Sequence, residues 1–404
     1  MKVAIIGGGA SGLFAAAVIS KYAQVTVIER NEKAGKKIYI TGKGRCNFTN
    51  LCLPSEFLPN VVRGDKFLIS AINSFPPEKA VDFFNENGLK SVTERGNRVF
   101  PLSGKASDVT ATLVKVIERN GGKIVYDTKV KSVSKDEQGF VLFCGEKTYM
   151  CDKLIVATGG ISYPSTGSDG DGYKFALSFG HSIVPTKAAL CPILLKDDVT
   201  QLEGLSLKNV LVKVKCGNKE YEQFGEMLFT RNGVSGPCIL TLSSLINRLD
   251  GQKKLTIDLK PALSFEELDK RVLRDFEQNI NKDYRNALDA LLPKSLIPFV
   301  IARSNIRPDK KVNLISKEER ISLVKLLKEL TFEIVGLDKI EVAIVTSGGV
   351  DLKEINPKTM ESKIASGLYF VGEVLDIDAL TGGYNLQVAW ATAYAAAKHI
   401  GELV

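Results

Sequence analysis

An α/β fold built around a parallel sheet, with the pieces of that sheet far apart in the chain, is what this sequence predicts. Three observations carry the expectation. Short, largely apolar runs at 3–6, 25–28, 154–157 and 368–371 read as strands buried on both faces. Several of these runs pass directly into glycine clusters, at Gly7-Gly8-Gly9, Gly159-Gly160 and Gly372. Beyond Pro185 the texture changes, first to alternating strand-like runs and then to amphipathic helix.

The elements follow in order. Val3–Ile6 is a strand, Ser11 to about Tyr22 an alanine-rich helix, and Val25–Glu29 a second strand, a βαβ unit of the size a parallel crossover requires. Residues 31–100 are irregular, with a helix near 77–87. Ser107 opens a helix whose apolar residues Val109, Leu113, Val116 and Ile117 share one face, and Asn120-Gly121-Gly122 stops it. Strand-like runs follow near 123–133, 139–144 and 147–157. Residues 190–258 alternate as short strands do. Residues 261–333 are helical, with capping boxes at Ser264-x-x-Glu267 and Ser316-x-x-Glu319. Strand character returns at 342–345 and 368–371, and a helix from Tyr384 to His399 closes the chain.

Composition narrows the function class. With 404 residues, 44% hydrophobic and 25% charged, the chain is an ordinary globular protein of more than one domain. Lys and Arg number 54 against 46 Asp and Glu, a formal charge of +8. That suits anionic ligands such as phosphates, but no basic run is clustered in the sequence, so nucleic acid is not expected as a partner. The 7 cysteines are odd in number and lack a C-x-x-C, which reads as reduced thiols in a cytoplasmic protein. The 2 histidines leave little for a zinc site or a His-based triad, and no metal is expected. No apolar run reaches the roughly 18–20 residues of a membrane span. Glycines at 7, 8, 9 and 12 exclude a signal peptide over 3–20.

Gly7-x-Gly9-x-x-Gly12 follows a buried strand and opens a helix. Gly7 serves the tight turn, Gly9 the close approach of backbone to a pyrophosphate, and Gly12 the packing of helix on strand. The helix N-terminus offers free N–H groups to the diphosphate, and Glu29, ending the second strand, accepts from a ribose diol. The distant clusters at Thr158-Gly159-Gly160 and Gly372-Glu373 favour FAD over NAD. In split flavin-binding domains a late strand brings an acid to the ribityl chain, and the last helix points its N-terminus at the pyrimidine.

The run Thr41-Gly42-Lys43-Gly44-Arg45-Cys46-Asn47-Phe48-Thr49-Asn50 resembles the TGxGRCNxTN signature of the bacterial NAD(P)/FAD-dependent oxidoreductases, the aminoacetone-oxidase-like and BaiN-like flavoproteins. Gly372-Glu373-Val374-Leu375-Asp376 with Gly382-Gly383-Tyr384-Asn385 is similar to their C-terminal signature. Leu228–Pro237 and Val345–Val350 resemble internal motifs, Arg231 standing where some members carry His. The resemblance implies a split Rossmann-type FAD-binding domain interrupted by a β-rich domain and a small helical module. The expected division is 1–185 and 351–404 for the FAD-binding domain, 186–260 with 334–350 for the β-rich domain, and 261–333 for the helical module. The cofactor-binding set is then Gly7, Gly9, Ser11, Gly12, Glu29, Arg30, Lys36, Thr41, Gly42, Gly44, Arg45, Cys46, Asn47, Val130, Thr158, Gly159, Gly372, Glu373, Gly383 and Asn385.

Within that set, Arg45 suits a phosphate or the electron-rich edge of the flavin. Glu373 suits the ribityl hydroxyls, its rival role being a strand-end salt bridge. Cys46 reads as a small group lining the pocket, since its spacing from Cys52 is not that of a redox pair. Tyr163, Tyr384 and Arg231 are the catalytic candidates, the tyrosines as proton donors. Arg231 and a turn at Thr346-Ser347-Gly348-Gly349 are candidates for lining the substrate face. The expected function is an FAD-dependent oxidoreductase passing hydride between flavin N5 and a small organic substrate. NAD(P)H is the candidate donor, leaving before the substrate enters because only one dinucleotide fingerprint exists. The rivals are an amine oxidase using O2, a tRNA-modifying flavoprotein, and a flavin-binding regulatory protein without turnover.

Overall fold

The apolar runs do assemble into one sheet. The computed structural model describes residues 1–404, and five parallel strands lie in the order Leu368–Phe370, Lys153–Val156, Lys2–Ile6, Gln24–Ile28, Lys123–Val125. Ile5 is flanked by Val27 and Ile155 in register, and all three are buried. Strands covered on both faces need apolar side chains at every position, which is why these runs do not alternate. The helix Ala10–Ile19 leads from the first strand to the second, and the last helix, Tyr384–Glu402, packs against it. Phe14, Phe84 and Trp390 meet there, Phe14 and Trp390 with ring centroids 5.4 Å apart.

The run at 147–157 is two strands rather than one. Lys147–Cys151 joins an antiparallel sheet with Gly139–Cys144 and Ser132–Asp136, and the chain switches sheets at Asp152, which accepts from the backbone N of Lys2. The run at 123–133 also divides. Only Lys123–Val125 is strand before 132, and the intervening backbone runs past Glu29, with the Thr128 N–H donating to the Glu29 carbonyl. The helix over Pro77–Glu86 lies where its pattern predicts. A small antiparallel sheet of Thr49–Asn50, Arg98–Pro101 and Ser91–Glu94 was not legible, because its strands are too short to show a period.

The chain divides into two units, Met1–Ala189 with Ile340–Val404, and Leu190–Lys339. The second unit is a closed barrel of six strands, in the order Ile193–Leu195, Gly233–Ser235, Lys219–Thr230, Ser206–Cys216, Lys253–Asp258, Leu330–Leu337. Val210, Val212 and Val214 point inward between more exposed neighbours, the alternation a one-sided strand requires. The helices Phe265–Glu277, Ile297–Arg303 and Lys317–Lys328 share this unit's hydrophobic core with the barrel. Both capping boxes form. Ser264 Oγ accepts from the Glu267 N–H at 3.1 Å, and Ser316 Oγ from that of Glu319 at 3.3 Å.

Two expected boundaries need correction. The β-rich and helical parts form one body with one core, and the strand Leu330–Leu337, expected as helix in part, closes its barrel. Residues 340–350 belong to the first unit, where Val345–Val350 pairs antiparallel with Ile183–Ala189. The Thr346–Gly349 segment is therefore buried strand, not an open turn. Its glycines allow this close packing, since a Cβ on Gly348 would sit 2.5 Å from the Pro185 carbonyl and one on Gly349 2.5 Å from that of Val374.

Candidate functional site

The glycine turn is built as its sequence demands. Gly7 has φ 103°, and a Cβ there would meet the Ala157 carbonyl at 2.6 Å. A Cβ on Gly12 would lie 1.9 Å from the Gly7 carbonyl oxygen, so helix and turn touch backbone to backbone. Gly9 differs from both: a Cβ there would meet nothing within 4 Å. Gly9 is also the N-cap of Ala10–Ile19 and supplies no capping side chain, so the first N–H groups of a buried helix have no side-chain acceptor from it. Open space at Gly9 and unpartnered N–H donors are what a diphosphate requires. Ser11 is turned elsewhere, its Oγ lying 3.4 Å from the Val371 carbonyl, which ties the first helix to the late strand.

Glu29 is buried at the end of the second strand. Its Oε2 accepts from the Gly8 N–H at 2.7 Å, and its Oε1 from Asn31 N and Nδ2 at 2.8 and 2.7 Å. The carboxylate is thereby fixed beside the glycine turn, with lone pairs left for a ribose diol. Val130 is buried nearby on the segment after the Lys123–Val125 strand, and its backbone N–H and C=O enter no backbone hydrogen bond. Arg30 is paired with Asp169, which Lys129 also contacts at 3.1 Å. Its guanidinium is engaged in a surface ion network rather than aimed at the turn.

Around the second signature the backbone is unusual. Gly42, Lys43, Gly44 and Cys46 all have positive φ, between 56° and 83°, in a tight loop after Lys36–Ile40. Thr41 Oγ1 donates to the Ile38 carbonyl at 2.7 Å. Cys46 is fully buried, and burial pushes its thiol up to about 12; Cys52 is raised to about 11, again chiefly by burial. Neither is a thiolate at neutral pH, and all seven cysteines are free. Arg45 is committed to Glu94, Nη2 to Oε1 at 2.6 Å, and its guanidinium carbon lies 4.2 Å from the Phe100 ring centre. Asn47 Oδ1 and Thr158 Oγ1 are buried with no hydrogen-bond partner, polar atoms suited to a ligand.

Lys36 belongs to the expected cofactor set, while it is its neighbour Lys37 that joins Glu373. Lys36 pairs with Glu32 near the surface, at 2.7 Å. Lys37 Nζ reaches inward to Ser162 Oγ at 2.7 Å and to Glu373 Oε2 and Oε1 at 2.8 and 3.0 Å. Glu373 Oε1 also accepts from Ser162 Oγ at 2.9 Å and from the Thr346 N–H at 2.8 Å. Glu373 is thus the hub of an ion-paired network, and only Oε2 keeps room for another donor. Nothing in the sequence separates Lys37 from Lys36. The usable signal was Glu373 itself, because a carboxylate at the end of a buried strand calls for a cation. Thr346 Oγ1 accepts from the N–H groups of Ile161 and Ser162 at 2.9 and 3.1 Å, which binds the strand at 345–350 to the loop carrying Gly159.

Gly383 caps the last helix with φ 100°, and a Cβ there would lie 2.5 Å from the Thr49 carbonyl. The helix N-terminus is therefore held against the second signature. Asn50 Nδ2 reinforces this, donating to the carbonyls of Gly382 and Gly96 at 3.0 Å each. Gly372 has φ 74°, and its N–H is held by Thr392 Oγ1 at 3.0 Å. Asn385 is occupied, its Oδ1 accepting from the Ala379 N–H at 2.9 Å and its Nδ2 donating to the Ala379 carbonyl at 2.7 Å. It shapes the loop, and its side chain is not free for a cofactor. Tyr384 packs edge-on against Phe57 at 5.1 Å, and burial, with Cys52 and Glu56 nearby, holds its phenol protonated well past neutrality. Tyr163 sits with φ 50° at the head of a short 3-10 turn, its N–H donating to the Glu341 carbonyl at 3.2 Å. Arg231 is exposed in the tight turn between two barrel strands of the second unit.

Comparison with known proteins agrees with the Rossmann-type fold. The family model described as the HI0933-like protein Rossmann domain matches residues 1–399. A ribosomal RNA dihydrouridine synthase of Haemophilus influenzae is 36% identical over 98% of both chains. One of Escherichia coli is 32% identical over 98% of this chain and 97% of its own. A 3-dehydro-bile acid delta(4,6)-reductase of Clostridium scindens is 31% identical over 99% of both. Among solved structures, a flavocytochrome c3 fumarate reductase superposes with TM-score 0.53 at 14% identity, over 99% of this chain and 78% of its own. A 3-ketosteroid delta1-dehydrogenase of Sterolibacterium denitrificans gives 0.53 at 13% identity, over 100% and 99%; at such identities these two speak to the fold alone. No helix is long and apolar enough to cross a membrane.

Proposed function

The chain belongs to the HI0933-like family of FAD-dependent oxidoreductases, and from that membership we propose that it reduces a carbon–carbon double bond conjugated to a carbonyl, the favoured substrate being a uracil base in ribosomal RNA. One observation carries the reading. Three relatives, 36%, 32% and 31% identical along nearly their whole lengths, are named for reactions with that bond in common. Making dihydrouridine saturates the ring C=C next to the uracil carbonyl, and a 3-oxo steroid with Δ4,6 unsaturation presents the same group extended by one double bond. The RNA reading departs from the expectation that nucleic acid is not a partner, which rested on the absence of a basic run in the sequence. A small cyclic dienone is the second reading, supported by the 31% relative.

When bound, FAD supplies hydride at flavin N5. The chain would hold its diphosphate at Gly7–Gly12 and its adenosine ribose at Glu29, with Val130 offering backbone groups to the adenine. The Lys37–Glu373–Ser162 network would stand beside the ribityl chain, and Gly383, Asn47 and Thr158 by the flavin ring. Saturating the bond also needs a proton at the carbon next to the carbonyl. Tyr384 is our candidate donor, because its phenol stays protonated and its loop is fixed against the second signature. Tyr163, in the same unit, remains a candidate for polarising the carbonyl. NAD(P)H as the donor and the cytoplasm as the location complete the proposal, the nicotinamide leaving before the substrate binds because one fingerprint serves one dinucleotide.

The test is anaerobic. The FAD-loaded protein is reduced and then mixed in turn with protein-free ribosomal RNA, a cyclic dienone and a saturated ketone, while flavin absorbance is followed. Reoxidation by RNA or dienone, and not by the saturated ketone, is expected. Flavin that is reduced by primary amines and reoxidised only by O2 would instead establish the oxidase rival.

A further inference from the structure

The loop at 41–45 and the hairpin Ser91–Glu94 with Arg98–Pro101 bring together cations that lie far apart in the sequence. The guanidinium carbons of Arg45 and Arg98 lie 4.2 and 6.0 Å from the centre of the same Phe100 ring. Arg98 Nε donates to the Arg95 carbonyl at 3.1 Å, which places the two arginines together at the hairpin tip. Gly104 approaches the Arg45 guanidinium, with a Cβ there 4.0 Å from Nε, and Lys105 follows it, exposed. Lys43 is exposed on the same loop as Arg45.

Against these five cations stands one paired carboxylate, Glu94, whose bond to Arg45 holds it ionised. Asp108, near Lys105 and accepting from Ser103 and Ser107, is the second carboxylate, so the cations outnumber the acids five to two. Lys43, Arg95, Arg98 and Lys105 enter no ion pair, unlike Arg30, Lys37 and Arg63, each of which is matched by an acid. The patch also has a defined place. Asn50 Nδ2 bonds both the Gly96 carbonyl at the hairpin tip and the Gly382 carbonyl beside the N-terminus of the last helix, at 3.0 Å each. The cations therefore border the Gly382–Tyr384 segment, where the proposed proton donor sits.

We propose that Lys43, Arg45, Arg95, Arg98 and Lys105 form an anion-binding rim that holds the phosphodiester backbone of an RNA substrate while one base enters the site. This rests on the reading above that the substrate is a uracil in ribosomal RNA. Guanidinium groups match phosphate in charge and in forked geometry, and such contacts give affinity without reading sequence. The exposed Leu102 beside the patch leaves an apolar surface for an unstacked base.

The probe is protein-free ribosomal RNA, bound by the FAD-loaded protein at salt from about 50 to 200 mM, where counterion release sets the slope. One phosphate contact is worth about 4- to 5-fold at 0.15 M salt. The double variant Arg95→Ala/Arg98→Ala should therefore bind about 20-fold more weakly, with a log–log salt slope shallower by about 2. Lys115→Ala/Lys208→Ala removes the same charge elsewhere and should match the wild type. Unchanged melting temperature and FAD content establish that both variants are folded. Wild-type affinity and slope in the arginine variant, or equal losses in both variants, would overturn the rim, and reoxidation of the reduced flavin by RNA would then show the base-reduction reading still standing. Wild-type protein that binds this RNA weakly and is not reoxidised by it would overturn the reading, and the rim with it.

Discussion

The two units bury different things. The second, Leu190–Lys339, is held by an apolar core shared between barrel and helices, and its buried carboxylate Asp275 is answered by Arg271 one helical turn away. The first buries Glu29, Asp376, Asp378, Gln387, Asn50 and Thr346 within its core and beside its sheet ends. It also strings left-handed residues through 42–46. Buried polar groups and left-handed backbone both cost stability, so their concentration in one unit marks where the chain has been shaped by something other than folding. That unit is the one with the nucleotide fingerprint.

Substitutions separate what the two units do. Phe229→Ala, in the barrel core, should lower stability by about 4 kcal/mol and leave FAD affinity unchanged, since Phe229 belongs to the second unit's separate core. Denaturation with FAD titration measures both. Gly12→Ala should lose about 3 kcal/mol, because its Cβ would sit 1.9 Å from the Gly7 carbonyl oxygen. Gly9→Val sharpens the contrast: with open space around it, apo stability should change by no more than about 0.5 kcal/mol, yet FAD affinity should be lost. Equal damage from both glycine variants to the apoprotein would remove the assignment of Gly9 to the diphosphate.

Lys37→Met leaves Glu373 with Ser162 and the Thr346 N–H but no cation. It should cost about 1–2 kcal/mol and shift the reduction potential of bound FAD, whereas Lys36→Met should do neither. The smallest effect concerns His181, buried between Glu354 at 3.1 Å and Ser362 at 2.7 Å and edge-on to Phe370. Burial lowers its pKa from 6.5, while Glu354 stays ionised to below 4.5: burial opposes this, and bonds from Ser182 and His181 overcome it. The unfolded imidazole binds its proton at higher pH than the folded one, so stability is full above 6.5 and declines as pH falls through that value. Hydrogen exchange of the Ile364 and Ala365 amides, which Ser362 Oγ holds, should quicken in that window. His181→Asn should abolish this pH dependence.

What the sequence made legible follows from local physics. Doubly buried strands, a glycine turn and capping boxes each leave a mark within a few residues, and those elements lie where their patterns put them. Partners distant in sequence leave no such mark. Lys37 rather than Lys36, the pairing of Val345–Val350 with Ile183–Ala189, and the commitment of Arg45 to Glu94 all depend on contacts across tens to hundreds of residues. So does the basic rim, whose members come from three separate segments and look like scattered surface charge when read along the chain. Asn385 shows the converse, a signature residue whose side chain is spent on its own loop.

The proposed activity is saturation of a C=C bond conjugated to a carbonyl in a uracil of ribosomal RNA. FAD-loaded protein, NAD(P)H and transcribed, unmodified ribosomal RNA are incubated without oxygen, and the digested nucleosides are weighed by mass spectrometry. A uridine heavier by two hydrogens is expected with the wild type and none with Gly9→Val. Unaltered uridine throughout, under conditions where the same protein consumes a cyclic dienone, would contradict it.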